Sequence, residues 1–103
     1  MKKRFIVSIT GEITKASTNN FTNYLKENKL AWWHWLSNTW LIIDSHDKID
    51  IKMIRDKAKE IFASYNLVIE VKDGGWAGFG PKSEDKDMFA WIKKYWSNEK
   101  AEE

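Results

Sequence analysis

Trp32-Trp33-His34-Trp35-Leu36-Ser37-Asn38-Thr39-Trp40-Leu41-Ile42-Ile43 is the stretch on which the reading of this chain turns. It holds four of the seven tryptophans, in two apolar runs separated by Ser37-Asn38. Two such runs flanking a two-residue polar break read as a β-hairpin. A plain two-residue turn pairs Leu36 with Thr39, Trp35 with Trp40, His34 with Leu41, Trp33 with Ile42 and Trp32 with Ile43. Cross-strand partners share a face. One face is therefore expected to carry Trp33, Trp35, Trp40 and Ile42, and the other Trp32, His34, Leu36, Leu41 and Ile43. The second, aliphatic-rich set is the more ordinary core. Both faces are apolar, so the one that does not meet the core needs a cover: a helix, a second subunit or a ligand.

Upstream, Phe5 to Thr10 alternates Phe5/Val7/Ile9 against Ile6/Ser8/Thr10 and reads as a first strand that Gly11 ends. Ser17-Thr18-Asn19-Asn20 supplies N-cap candidates for a helix carrying Phe21, Tyr24 and Leu25, ending near Asn28 or Lys29. Downstream, Asp50 caps a second helix with Ile49 and Ile54 at the positions of a hydrophobic staple. Its stripe is Ile51, Ile54, Ala58, Ile61 and Phe62, opposite Lys52, Arg55, Asp56, Lys59 and Glu60. Leu67 to Val71 alternates again, with Leu67, Ile69 and Val71 expected inward. Asp73-Gly74-Gly75 turns the chain into a glycine-rich loop, Trp76 to Pro81. A last helix is expected over Asp87–Ser97, with Met88, Trp91, Ile92 and Tyr95 on one side. Its stripe has no other home, so it is a candidate cover for the open face of the sheet.

The order β-α-β-β-α-β with a C-terminal helix is that of an α+β, ferredoxin-like fold: an antiparallel four-stranded sheet with two helices on one face. The 103 residues suffice for one domain, expected over 1–98, with an acidic, frayed tail at 99–103. A chain of this size buries roughly two-thirds of its unfolded surface. There are no cysteines, which removes disulfides, thiolate metal sites and cysteine nucleophiles and fits a cytoplasmic setting. Seventeen basic and fifteen acidic residues leave a net charge of +2, too balanced a field to predict nucleic-acid binding. The run Phe5 to Ile9 behind Met1-Lys2-Lys3-Arg4 is too short for a signal core or a membrane span.

Chemistry-bearing patterns are sparse. Gly74, Gly75, Gly78 and Gly80 followed by Lys82-Ser83 resemble a phosphate loop, but Pro81 breaks the G-x-x-x-x-G-K-[ST] order and no helix follows at once. A loop needing positive φ around a packed Trp76 and Phe79 is the plainer reading. If the loop binds something, its N–H groups with Trp76 and Lys82 suit a nucleotide's phosphate and base. Asp44, His46, Asp47 and Asp50 cluster before the second helix and have the donor types of a divalent-ion site, although Asp47 and Asp50 already suit a helix start. His34 has no Ser or Asp partner at a telling spacing. The hairpin aromatics suit base stacking, but the strands lack the basic-glycine-aromatic order of RNA-recognition sheets. No catalytic residue and no cofactor are expected.

Trp32-Trp33-His34-x-Leu36-x-x-Thr39-Trp40-Leu41-Ile42, followed by a helix, a strand with Val68-Ile69 and Trp76-Ala77-Gly78-Phe79, resembles a group of small bacterial and phage proteins labelled SinR-family. The resemblance covers about residues 4–80. It implies the ferredoxin-like fold of the CRISPR-associated small endoribonuclease and virulence-associated protein D, and homodimerisation, often through the sheet. In those nucleases an aspartate ending the first strand would hold the metal; this chain has Ser8-Ile9-Thr10 there, with Glu12 the nearest acid.

The expectation is a non-enzymatic binding module, a homodimer that takes a nucleotide-like ligand, such as a signalling nucleotide it sequesters, or a protein partner. Its site would draw on Trp33, His34, Trp35, Trp40, Trp76, Phe79 and Lys82. The alternatives are a metal-dependent nuclease-like protein using Asp44, Asp47 or Glu12, and an antitoxin-like or inhibitor subunit.

Overall fold

A computed structural model describes residues 2–72, 75–83 and 86–96. They belong to two compact units, Met1–Val71 and Lys72–Glu103. The first contains β1 (Lys3–Ile9), α1 (Lys15–Glu27), β2 (Ala31–Leu36), β3 (Thr39–Asp44), α2 (Ile51–Phe62) and β4 (Asn66–Val71). The sheet order is β2-β3-β1-β4 and every pairing is antiparallel. That is the ferredoxin-like arrangement: β3 fills the gap between β1 and β2, and β4 lies on the far side of β1.

The core follows from the strand period. Phe5, Val7 and Ile9 point to one face of β1 and meet Phe21 and Leu25 of α1 and Ile54 and Ala58 of α2, with Trp40 and Ile42 beside them. Phe21 meets the Trp40 ring edge-on at 5.0 Å and the Phe62 ring at 5.4 Å, the offset geometry that aromatic quadrupoles favour. Residues at even positions of β1 face the other way. This second, outer face carries the lateral row Trp33, Leu41, Ile6 and Ile69.

Both helices begin on built caps. Asp50 accepts from the Met53 N–H at 2.9 Å, as the sequence indicates, and Ile49 and Ile54 both lie in the core. The first helix starts earlier than Ser17–Asn20: Thr14 is its N-cap, and Ser17 closes a reciprocal capping box with it. A Ser at N3 substitutes there for the usual Glu or Gln, which hides the motif from a pattern search.

Two expectations about facing are overturned. The hairpin keeps its two-residue turn, with Leu36 opposite Thr39, but further along Trp33 lies opposite Leu41, Trp32 opposite Ile42 and Ala31 opposite Ile43. One extra residue is accommodated in β2 between Trp33 and Leu36. Neither Ser37 nor Asn38 has positive φ, so the turn is not of the primed type whose twist matches the strands, and a bulge beside it takes up the mismatch. The core face of the hairpin therefore mixes the two expected sets: Trp40 and Ile42 from one, Trp32 from the other. In β4 the core contact is Val68. Leu67 and Ile69 stand exposed on the outer face, because β4 pairs with β1 in the register Val7 with Val68.

In the second unit, Lys82 and Asp87 form a short antiparallel bridge and the Met88 N–H donates to the Pro81 carbonyl at 3.1 Å. The expected last helix is shorter than Asp87–Ser97. Residues 88–89 are a turn, helix begins at Ala90, and Ile92–Trp96 has π-helical winding. Ser97, the Asp73-Gly74 part of the turn and the acidic tail lie outside the described residues.

Candidate functional site

The sequence-nominated residues fall in both units: Trp33, His34, Trp35 and Trp40 in the first, Trp76, Phe79 and Lys82 in the second. In the hairpin, His34 and Trp40 come together face to face, with ring centroids 3.6 Å apart and planes within 5°. The bulge makes this possible, since two β2 residues span the position opposite Trp40 and His34 falls over its ring. His34 Nδ1 lies 3.0 Å from the Thr39 carbonyl oxygen. A carbonyl only accepts, so Nδ1 carries the proton. Burial pushes the His34 pKa down and the bond to Thr39 partly offsets it, which keeps the ring neutral at physiological pH. Trp40 is fully buried and its indole N–H has no hydrogen-bond partner. Trp40 belongs to the core, and His34 covers its ring while staying partly exposed. Trp33 is buried on the outer face, whereas Trp35 is exposed near the hairpin tip.

The Asp44 loop is structural. Asp44 is fully buried; its Oδ1 accepts from the His46 N–H at 3.0 Å, and its Oδ2 from those of Lys48 at 2.8 Å and Ile49 at 2.9 Å. With both oxygens engaged, the carboxylate folds the connection between β3 and α2. Asp47, held at positive φ, pairs with Lys3 at 2.8 Å. That hydrogen bond holds the Asp47 carboxyl below its usual range and raises the Lys3 ammonium. Lys3 also donates to the Ile49 carbonyl, and Asp50 is the cap. Among the described residues no cluster of His, Asp or Glu is arranged to hold a metal ion.

The glycine-rich loop is the remaining candidate, and its geometry differs from the expected one. Neither Gly75, Gly78 nor Gly80 has positive φ. Two of them lie close against side chains. A Cβ on Gly78 would stand 2.5 Å from the Phe89 ring, and one on Gly80 would collide with the Met88 sulfur. The backbone thus lies flat on Met88 and Phe89 at both residues flanking Phe79. Phe79 is not packed: it is 99% exposed. Trp76, 39% exposed, rests against Phe89 with ring centroids 5.5 Å apart. Lys82 begins the bridge that closes the loop and is exposed. Met88 and Phe89, which support the loop, carry no sequence signal beyond hydrophobicity.

No known protein-family model matches the chain, and no curated protein is significantly similar to it.

Proposed function

We propose that this chain is a non-enzymatic binding module that docks a protein partner through the Trp76–Phe79 loop. The observation that carries this reading is Phe79, an entire aromatic side chain held in water by a loop whose flanking glycines are seated on Phe89 and Met88. Burying such a side chain in a partner's pocket is worth about 1.5–3 kcal/mol, and aromatic anchors on rigid supports concentrate interface energy. Trp76 beside it widens the apolar contact, and Lys82 supplies a charged rim. An antitoxin-like or inhibitor role belongs to this class of function.

The immobilised chain and its Phe79→Ser variant, both checked for unchanged circular dichroism, test it against lysate of the source cells. A discrete protein retained by the first and lost by the second supports the reading. Calorimetric titration with mononucleotides and cyclic nucleotides separates the nucleotide alternative: binding that depends on Trp76 and Lys82, with no protein captured, would replace the protein partner by a nucleotide.

A second copy of the chain is the partner that suits β4. The Thr10 N–H donates to the Tyr65 carbonyl, and hydrogen-bonded pairs alternate along an antiparallel ladder. Leu67, Ile69 and Val71 therefore direct their backbone groups to β1, and Asn66, Val68 and Glu70 direct theirs to the edge that no other described strand pairs. A two-fold axis through Val68 would set Asn66 opposite Glu70. It would also set Leu67 opposite Ile69, joining the two exposed apolar rows. Homodimerisation through the sheet is what the resemblance of the hairpin motif implies.

A further inference from the structure

At the turn end of the sheet the outer face is hollowed into an open cleft of about 260 Å³, lined by Ser8, Thr10, Asn38, Tyr65, Asn66 and Leu67, among others. Its floor is β1, where Ser8 lies between Thr39 of β3 and Leu67 of β4, and Thr10 is tied by its N–H to the Tyr65 carbonyl at 3.0 Å. Among the described residues no charged side chain lines it.

We infer that this cleft is a binding site for a neutral, hydroxyl-bearing ring the size of one sugar. The volume lies just below the range of drug-sized pockets, roughly 300–1,000 Å³, and suits a single ring. A charged ligand would shed hydration here without finding a counter-ion, so neutrality follows from the lining. The Tyr65 ring, 83% exposed, and Leu67, 62% exposed, offer the apolar C–H face of a sugar ring a wall to lie against.

The polar groups have both donor and acceptor capacity to spare. Ser8 Oγ makes only a 3.5 Å contact with Thr39 Oγ1, so its hydroxyl is free to turn. Thr10 Oγ1 spends its proton on the Tyr65 carbonyl at 3.3 Å and keeps its lone pairs. Asn38 accepts the Thr39 hydroxyl on Oδ1 at 3.4 Å, leaving its NH₂ to donate. The Asn66 side chain is engaged on the helix side, its NH₂ donating to the Arg55 carbonyl at 3.4 Å. Mixed capacity of this kind matches hydroxyl groups, which donate and accept at once.

Amide chemical-shift titration of the ¹⁵N-labelled full chain tests the site. The probes are methyl α-D-glucopyranoside, methyl α-D-galactopyranoside and N-acetylglucosamine, with glucose 6-phosphate as the charged counterpart. At least one neutral probe is expected to give saturable shifts confined to the strand ends around Ser8, Asn38 and Tyr65, with a Kd of about 1 mM. Tyr65→Ala should weaken it about tenfold while the rest of the spectrum stays in place, and Ser8→Ala should weaken it less. Absence of saturable shifts with all three neutral probes would overturn the assignment. So would shifts indifferent to Tyr65→Ala, or tighter binding of the phosphate.

Discussion

Asp44 and His34 show how residues that suggest chemistry also hold the fold together. Removing the Asp44 carboxylate strands three backbone N–H groups, two of them on one oxygen. Hydrogen bonds to a charged group contribute about 1.5–3 kcal/mol each, but they share one desolvation cost. Asp44→Ala should therefore lower stability by about 2–4 kcal/mol, read as an earlier midpoint in urea denaturation at unchanged slope. His34 makes a pH prediction. Its folded pKa lies below the ordinary value of 6.5, so the unfolded chain binds the proton more readily. The stabilisation is complete above pH 6.5 and is lost as pH falls through the depressed folded value. His34→Phe keeps a ring on Trp40 without a titrating group, and should flatten that part of the stability profile measured by urea denaturation between pH 7 and pH 5. The sequence shows both residues plainly; it does not show that three amides converge on one or that an indole lies under the other, because those are tertiary facts.

The elements themselves are largely legible. Strands β2 and β3 fall where the apolar runs predict, and α2 begins at the Asp50 cap. That cap should be worth about 1 kcal/mol, so Asp50→Ala is expected to cost about that much in urea denaturation, with the loss reversed on restoring a capping residue by Asp50→Ser. What the sequence conceals is the phase of each strand. Leu67, Ile69 and Val71 are the more hydrophobic row of β4, and pattern alone turns them inward. The register with β1 selects Val68 instead, and a one-residue offset exchanges the two faces of a strand. The hairpin bulge has the same character: Ser37-Asn38 lacks the glycine of a primed turn, and that absence is the one local sign that the plain pairing fails. Gly78 and Gly80 were recognisable as constrained, yet for close approach to Phe89 and Met88 rather than for positive φ.

For the whole molecule, the balanced charge and the absence of any helix long and apolar enough to cross a membrane among the described residues direct attention to exposed apolar groups. Two are prominent: the row Tyr65, Leu67 and Ile69 on the outer face and Phe79 on its loop. If β4 pairs with a second copy, sedimentation velocity at about 100 μM, well above a Kd of about 1 μM, should give a dimer. Leu67→Lys with Ile69→Lys, which alter exposed side chains only, should return it to a monomer with an unchanged circular dichroism spectrum. A wild-type monomer at that concentration would refute the pairing. Docking through the loop is the central claim, and its most direct measurement is site-specific photocrosslinking. Benzoylphenylalanine replaces Phe79 in one sample and exposed Lys26 of α1 in another, and both are irradiated in lysate of the source cells. A discrete protein adduct at position 79 and none at position 26 is the predicted result. No adduct at position 79, or the same adducts at both positions, would contradict the account.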